Sequence, residues 1–274
     1  LVQNTGSCTK EIFQSIKGSR KIPLMEIHKE VVPAIQEISR NTNVFNLFEL
    51  VKAKDDYTFQ HNIGVGVLST LIGRWMNFSE RDLTTLSLAA TMHDVGKVKI
   101  PEELLNKPGK LTREEYEQVK KHTIYGYELL KETTGLSHRV ALVALQHHER
   151  EDGRGYPFGL KKDKIDIFSS IVAVADIFHA MSSKRPYHDP ISFHEIIAQM
   201  GQGKFGELNP QIVSIFIENV INKMVGKQVV LTDGRVGEVV YLNPLEMNAP
   251  LIKINEDFID LSHDRDIHIQ EIRG

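Results

Sequence analysis

The chain has 274 residues, of which 41% are hydrophobic and 25% charged, and its 33 basic and 36 acidic side chains give a formal net charge of -3. This composition is typical of a folded globular protein rather than a disordered one, and the length allows one large domain or two modest ones. A basic excess of the kind that binds duplex nucleic acid is lacking, whereas a small anionic substrate held by metal ions is compatible with this charge balance.

The single cysteine indicates the compartment. Cys8 cannot form an intramolecular disulfide, which favours a reducing, cytoplasmic setting. No apolar run approaches the roughly 18 residues of a membrane span, and the N-terminal residues lack the apolar stretch of a signal peptide. The chain begins with Leu1 rather than methionine, so a fragment of a longer protein with an upstream sensor is one expectation.

Helical periodicity dominates the sequence up to Gly226. Residues 1–30 are weakly patterned and predict a tail or a loose helix, after which Val31, Ile35 and Ile38 share one helical face. The pair Thr112 and Glu115 has the spacing of a capping box, which predicts a helix start. The same periodicity predicts further helices over 60–76, 80–94, 112–132, 137–149, 166–183, 191–200 and 209–224.

The C-terminal part has a different pattern. Its β-branched runs at 228–231, 236–242 and 251–254 are separated by turn residues, among them Asp233-Gly234, which is a strong hairpin signal. We therefore predict a mainly α fold, a helical bundle followed by a small antiparallel β appendage. The predicted divisions are an N-terminal helical segment or linker over 1–54, a catalytic domain over 55–225 and the β appendage over 226–274.

Histidines and aspartates cluster within the predicted helices. Two pairs are adjacent, His93-Asp94 and His147-His148. A helix turns about 100° per residue, so adjacent ligands cannot aim equally well at one point but can serve two neighbouring ions. Imidazoles and carboxylates suit Mn, Fe, Co, Ni or Zn, and two ions about 3.5–4 Å apart can activate water against a phosphodiester. Further candidates on other predicted helices are His61, His122 and Asp176.

A known family is indicated by the segment that follows the histidine pair. Residues 147–157, His-His-Glu-Arg-Glu-Asp-Gly-Arg-Gly-Tyr-Pro, resemble the HD-GYP pattern His-His-Glu-x-x-Asp-Gly-x-Gly-Tyr-Pro. Residues 93–97, 174–176 and 185–187 match further motifs of that family in the same order. The resemblance covers roughly residues 55–222, and several separate motifs in the right order make it highly specific.

The resemblance implies an HD-domain helical bundle with a metal centre. It implies two divalent transition-metal ions, with Fe or Mn expected first and Ni, Co or Zn as alternatives. Asp94 would bridge the ions, and cyclic di-GMP would be cut by a metal-bridging hydroxide to a linear dinucleotide, to GMP or to both. The implied ligands are His61, His93, Asp94, His122, His147, His148 and Asp176.

The resemblance also implies substrate contacts. Lys97 matches a lysine that contacts the phosphate and assists the leaving oxygen, where an ammonium meets charge that grows in the transition state; the alternative is a solvated lysine at a helix end. Arg185 matches an arginine near the phosphate, suited to bidentate contact, and Tyr187 is either a neighbour of a guanine base or a buried structural aromatic. The implied contacts in the loop are Gly153, Gly155 and Tyr156, with a purely structural turn, especially at Pro157, as the alternative.

Three positions depart from the family pattern. Tyr57 stands where many trinuclear members have a glutamate, which favours two metals over three. His179 stands where a second aspartate is usual on the helix of Asp176, and the sequence alone gives no physical account of it. His188 replaces a basic residue, so the charge there depends on pH.

Other functions stay open at this stage. One alternative is an HD-family phosphohydrolase acting on another cyclic dinucleotide or nucleotide, and another is a non-catalytic cyclic di-GMP receptor. A di-iron oxygenase is a third, which Lys97 and the Gly-Tyr-Pro loop disfavour. The N-terminal and β segments are the candidates for contact with an upstream sensor or a protein partner, and a homodimer is a further expectation.

Overall fold

The computed structural model describes residues 2–41, 57–182, 195–196, 199–200, 202, 206–242, 249–264 and 266–273. Side chains are described within these ranges except at 2–9, 57–59 and 221. The predicted helix over 191–200 therefore lies largely outside the described residues, as do Arg185, Tyr187 and His188.

The described helices account for most of the chain before Gly226. A short helix at Leu24–Glu26 and a π-helical turn at Ile27–Val31 lead into α2. Short segments at Val95–Lys99, Glu102–Leu105 and Lys162–Lys164 connect longer helices. The longer helices are α1 (Val2–Ser19), α2 (Val32–Asn41), α3 (Tyr57–Trp75), α4 (Glu80–Met92), α5 (Arg113–Lys120), α6 (His122–Lys131), α7 (His138–Gln146), α8 (Ile167–Ser182) and α9 (Pro210–Asn222).

The structure divides the single helix predicted over 112–132 into α5 and α6. The predicted capping box of Thr112 and Glu115 is present at the start of α5. At Lys121 the backbone keeps a helical φ of -63° but has a ψ of -14°, which approaches 3₁₀ geometry. The α-helix is therefore interrupted between α5 and α6, and neither glycine nor proline marks this interruption in the sequence.

Helix α3 is the central helix of the bundle. All its residues from His61 to Ile72 are buried. Helix α3 packs against α1, α2, α4, α8 and α9. A helix that other helices surround on every side lies in the core of the protein. His61 is therefore carried into the interior of the protein, although imidazole is polar.

The N-terminal residues form a packed helix. Of the two alternatives for residues 1–30, a tail or a loose helix, the structure has α1, with Ile12, Phe13 and Ile16 buried in the main core. Lys17 forms an ion pair with Glu102. Helix α1 also packs against the 3₁₀ segment Val95–Lys99, and the predicted division at residue 54 stays a prediction.

The C-terminal residues form one antiparallel sheet. Its strands are β1 (Gln228–Leu231), β2 (Val236–Tyr241), β3 (Leu251–Ile254), β4 (Asp257–Asp260) and β5 (Ile269–Arg273), in the order β4-β3-β2-β1-β5. Gly234 has a φ of 86° in the predicted hairpin turn, a conformation that suits glycine. Val229, Val239 and Ile252 are buried and belong to the same core cluster as the helices.

The predicted fold class is confirmed, because the chain is mainly helical with a small antiparallel sheet at its C-terminal end. Strands β4 and β5 go beyond the three predicted runs. Among the described helices, none has the length and apolar character needed to cross a membrane.

Candidate metal centre

Asp94 lies at the centre of a buried group of imidazoles. Its Oδ2 is 3.4 Å from Nε2 of His93 and 3.9 Å from Nε2 of His61. Its Oδ1 is 3.3 Å from Nε2 of His122 and 3.9 Å from Nε2 of His147. The two oxygens of one carboxylate therefore face two different pairs of histidines.

The ligand atoms form two groups that share Asp94. In each group, ligand atoms of all members lie within 4.8 Å of one another. A carboxylate that belongs to both groups is suited to lie between two cations. The groups are His61, His93 and Asp94 on one side, and Asp94, His122, His147 and His148 on the other.

A close backbone contact brings the 3₁₀ segment after Asp94 against the start of α6. A Cβ on Gly96 would lie 1.9 Å from the carbonyl oxygen of His122 and 2.4 Å from the backbone nitrogen of Gly126. Any larger residue at position 96 would force these segments apart. Glycine here is therefore what lets Asp94 and His122 approach each other.

Backbone carbonyls orient three of the imidazoles. A carbonyl oxygen can only accept a hydrogen bond, so the Nδ1 atom that meets it must carry the proton. This leaves the Nε2 lone pair of each ring directed towards Asp94, the arrangement that metal-ligating histidines usually have. The bonds run from His93, His122 and His147 to the oxygens of Ala90, Val119 and Val143, at 2.7, 2.7 and 3.1 Å respectively.

Two polar atoms of the centre lack hydrogen bonds. Nε2 of His93 and Oδ1 of Asp94 are buried and make none within the described part of the chain. Buried polar atoms are almost always satisfied in folded proteins. A divalent cation would satisfy both atoms, and the donor types are those that transition metals take. The residues present therefore fit a divalent metal site.

Burial keeps several of the imidazoles neutral. It lowers the pKa of His122 to about 4 and that of His147 to about 3, against a usual value of 6.5. Burial also lowers the pKa of His148 and of His61, and for His61 it outweighs the opposing effect of the Asp176 carboxylate. Neutral imidazole is the form that ligates metals, so these rings need not lose a proton at neutral pH.

The carboxylates are ionised despite their burial. Desolvation acts to raise the pKa of Asp94, but Lys97 and the neighbouring histidines lower it well below 3.8. The same balance holds for Asp176, whose strongest opposing partner is His61. His93 differs from the other rings: burial lowers its pKa, but the negative charge of the neighbouring Asp94 outweighs burial and raises it.

The remaining predicted ligands and Lys97 border the same group. Oδ1 of Asp176 lies 3.2 Å from Nε2 of His61. The ring of His148 stacks on Tyr156, with centroids 4.6 Å apart and an interplanar angle of 26°. The ammonium of Lys97 donates to Oδ2 of Asp94 and is partly exposed. The structure thus brings the seven predicted ligands and Lys97 into one neighbourhood.

The Gly-Tyr-Pro loop is attached to the centre through Glu149. Its buried carboxylate accepts hydrogen bonds from the backbone nitrogens of Phe158 at 2.8 Å and Leu160 at 2.9 Å. Gly155 allows the loop to pass close by, since a Cβ there would lie 2.4 Å from the carbonyl oxygen of His148. The peptide bond before Pro157 is cis.

Sequence reasoning assigned no role to Glu149 or to the pair Tyr116 and Lys120. Nζ of Lys120 lies 5.3 Å from the ring centroid of Tyr116 and 5.5 Å from that of Tyr156, so α5 adds a cation and an aromatic ring beside the loop. The i, i+4 spacing on a helix was the available signal. Glu149 stood inside the recognised motif, but its backbone partners could not be seen from spacing.

A model of the HD domain family matches residues 45–208. The chain belongs to the HD domain family. It is 34% identical over 224 residues to a cyclic di-GMP phosphodiesterase of Pseudomonas aeruginosa, covering 80% of this chain and 54% of that protein. It is 40% identical over 181 residues to a cyclic di-GMP phosphodiesterase of Thermotoga maritima, covering 64% and 49% respectively.

A third relative has a different substrate in its name. The chain is 35% identical over 177 residues to the 3'3'-cGAMP-specific phosphodiesterase 2 of Vibrio cholerae, covering 64% of this chain and 34% of that protein. The chain thus spans about half the length, or less, of these curated relatives.

A solved structure shares the fold. It is the HD-G"Y"P protein Bd1817 of Bdellovibrio bacteriovorus, which matches with a TM-score of 0.63 and 18% identity over 80% of this chain and 70% of that one. This likeness shows a shared fold. The family match and the curated relatives confirm the resemblance to HD-domain cyclic di-GMP phosphodiesterases.

Proposed function

We propose that the chain is a metal-dependent phosphodiesterase that hydrolyses cyclic di-GMP to a linear dinucleotide, to GMP or to both. The observation that carries the proposal is the position of Asp94 between two groups of buried imidazoles. The relatives named as cyclic di-GMP phosphodiesterases supply the substrate. A centre that holds divalent cations is chemically suited to a substrate whose phosphodiesters carry negative charge.

We infer two ions per chain, since the ligand atoms form two groups rather than one. Imidazole and carboxylate donors without a thiolate suit iron or manganese, with nickel, cobalt or zinc as alternatives. Bound divalent ions supply a nucleophile from water at neutral pH and neutralise charge on phosphoryl oxygens. The proposed ligands are His61, His93 and Asp176 for one ion and His122, His147 and His148 for the other, with Asp94 shared.

Hydrogen bonds within the chain fix the orientation of the site's side chains before a substrate binds. Helix carbonyls hold the rings of His93, His122 and His147 with their lone pairs turned inward. Lys97 holds its ammonium beside Asp94 on the partly exposed side. There it can donate to the leaving oxygen, and a donor fixed in advance needs no reorganisation as charge develops.

The proposed substrate contacts differ in their support. The role of Lys97 is supported by its hydrogen bond to Asp94. The role of Tyr156 is supported by its stacking on the proposed ligand His148. Gly153 and Gly155 shape the loop, and Gly153 has a φ of 77°. For Arg185 and Tyr187 the support is the sequence resemblance alone.

The test measures turnover of cyclic di-GMP by protein that is purified anaerobically and reloaded with Mn²⁺. The wild type is compared with two variants, Lys97→Ala and its matched control Lys99→Ala. Lys99 belongs to the same 3₁₀ segment but pairs with the exposed Glu128 at 3.6 Å. Hydrolysis by the wild type and by Lys99→Ala, with loss in Lys97→Ala, supports the proposal. Binding of cyclic di-GMP without any hydrolysis would instead indicate a receptor.

A second candidate substrate is the mixed cyclic dinucleotide 3'3'-cGAMP. The specific observation is the 35% identity to the enzyme of Vibrio cholerae that is named for it. A competition assay with equal concentrations of both dinucleotides distinguishes the two, because the ratio of products reports the ratio of kcat/KM values. If 3'3'-cGAMP is hydrolysed in preference to cyclic di-GMP, then 3'3'-cGAMP replaces cyclic di-GMP as the assigned substrate.

A further inference from the structure

The Nδ1 atom of His61 meets the side chain of His179, whereas the Nδ1 atoms of the other oriented rings meet backbone carbonyls. His179 lies on α8, one turn after Asp176, and is buried. Its Nδ1 is 3.0 Å from Nδ1 of His61, and the ring centroids are 4.8 Å apart at an angle of 77°. Whereas His93 and His122 donate from Nδ1 to carbonyl oxygens, His61 meets a side chain.

The direction of this hydrogen bond follows from the chemistry of the centre. Between two ring nitrogens, one must donate and the other must accept. When Nε2 of His61 gives its lone pair to an ion, the proton of that ring is on Nδ1. His61 is then the donor, and Nδ1 of His179 must accept.

We propose that His179 is a positioning residue, which accepts this hydrogen bond and holds His61 in the orientation and tautomer that bind a metal ion. The inference rests on the metal part of the proposed function and not on the identity of the nucleotide. It also gives a physical account of a histidine at the position where aspartate is usual, since both side chains can accept the bond.

Gly64 provides the space for the ring of His179. A Cβ at position 64 would lie 2.1 Å from Nε2 and 2.2 Å from Cδ2 of His179, distances that no packed side chain tolerates. Gly64 follows His61 by three residues on α3, so one helix supplies both the ligand and the gap. The φ of Gly64 is not in the left-handed region, so the gap, not the backbone, requires glycine.

The first test measures Mn²⁺ affinity of metal-stripped protein by isothermal titration in the wild type, His179→Asn and His179→Leu. Asparagine places its amide oxygen near the position of Nδ1 and can still accept, whereas leucine fills similar space and cannot. We expect His179→Leu to weaken one binding step by about 10- to 100-fold, the usual effect of removing such a partner, and His179→Asn to retain most of the affinity.

The outcomes separate the possible failures. Equal affinity of the wild type and His179→Leu overturns the positioning role but leaves the metal centre intact, as does an equal loss in the leucine and asparagine variants. A wild-type chain that binds no Mn²⁺ overturns the metal centre and this inference with it. Thermal unfolding of the metal-free variants is the control. If His179 only fills space, the variants that lose affinity for Mn²⁺ should also lose stability to the same degree.

A second test needs no metal. Gly64→Ala should lower the melting temperature of the metal-free protein strongly when His179 is present and much less in a His179→Ala background, where the clashing atoms are gone. Equal losses in both backgrounds would show that the ring does not occupy this gap, and would overturn the proposed geometry even if His179→Leu fails to fold.

Discussion

Gly96 and the carbonyl oxygen of His122 lie so close that a Cβ at position 96 would be 1.9 Å from that oxygen. This contact joins the segment that carries Asp94 to the helix that carries His122. The distance of 3.3 Å between Oδ1 of Asp94 and Nε2 of His122 depends on it. The geometry of the metal centre is thus set partly by a residue with no side chain.

Gly96→Ala should therefore disturb both packing and metal binding. We expect a lower melting temperature and a reduced metal content, because the segment carrying Asp94 must move away from α6. Thermal unfolding and elemental analysis measure the two effects. Gly18→Ala is the matched control, since a Cβ there meets nothing within 4 Å, and alanine is favoured over glycine in helices. Wild-type metal content in a folded Gly96→Ala protein would contradict the role of the contact.

Lys97→Ala should reduce turnover and leave the metals in place. The ammonium lies beside Asp94 but is not a metal ligand, and removing one preorganised donor costs roughly 10²- to 10³-fold in kcat. Steady-state kinetics with elemental analysis measure both quantities. Lys99→Ala should remain within about twofold of the wild type, because its surface ion pair with Glu128 contributes little. Loss of metal in Lys97→Ala would place this lysine among the structural supports of the centre instead.

Glu149 should stabilise the Gly-Tyr-Pro loop in proportion to the hydrogen bonds it accepts. Glu149→Ala leaves the backbone nitrogens of Phe158 and Leu160 without their acceptor, and a hydrogen bond to a charged group contributes about 1.5–3 kcal/mol. Glu149→Gln keeps one acceptor oxygen and should lose less stability than the alanine variant. Chemical denaturation measures this order. Equal stability of the wild type and Glu149→Ala would show that the loop is held by other contacts.

The stability of the metal-free protein should fall as the pH falls below neutrality. Burial lowers the pKa of His122 to about 4 and of His147 to about 3, from 6.5. Between pH 6.5 and 4 the unfolded chain therefore binds more protons than the folded chain, and protons favour unfolding. His93, whose pKa is raised by Asp94 against the effect of burial, opposes this trend in part.

Melting temperatures of chelator-treated protein from pH 7.5 to 5 measure this dependence. We expect the highest value at the upper end and a steady decline below pH 6.5. His147→Asn removes one of the two groups and should make the decline shallower. A melting temperature that is constant or rises towards pH 5 would contradict the neutral state of the buried imidazoles.

Local patterns were enough to predict much of the fold. The capping box at Thr112 and the hairpin at Asp233-Gly234 are short-range signals, and the structure has both. The interruption at Lys121 was missed because no glycine or proline marks it. Strand β4 (Asp257–Asp260) was missed because it is only four residues long and has an aspartate at each end. It forms by pairing with β3, after a turn in which Asn255 has a φ of 55°.

The candidate site shows the same division between local and distant information. The family resemblance implied the candidate ligands, and the structure brings these residues together around Asp94. The roles of Glu149 and His179 depend on partners 9 to 118 residues away along the chain. Spacing within a motif carries no record of such contacts, and no residue next to His179 in the sequence indicates that His61 is its partner.

The most direct test of the account is a titration of metal-stripped protein with Mn²⁺, in which bound metal and hydrolysis of cyclic di-GMP are followed together in the wild type and in Asp94→Ala. For the wild type, the account predicts no hydrolysis without metal and a rise in activity that is complete at two ions per chain. For Asp94→Ala, it predicts weakened binding and no turnover, since the carboxylate shared by both ligand groups is gone. Full activity with chelator present, saturation at one or three ions, or wild-type binding and turnover in Asp94→Ala would contradict it.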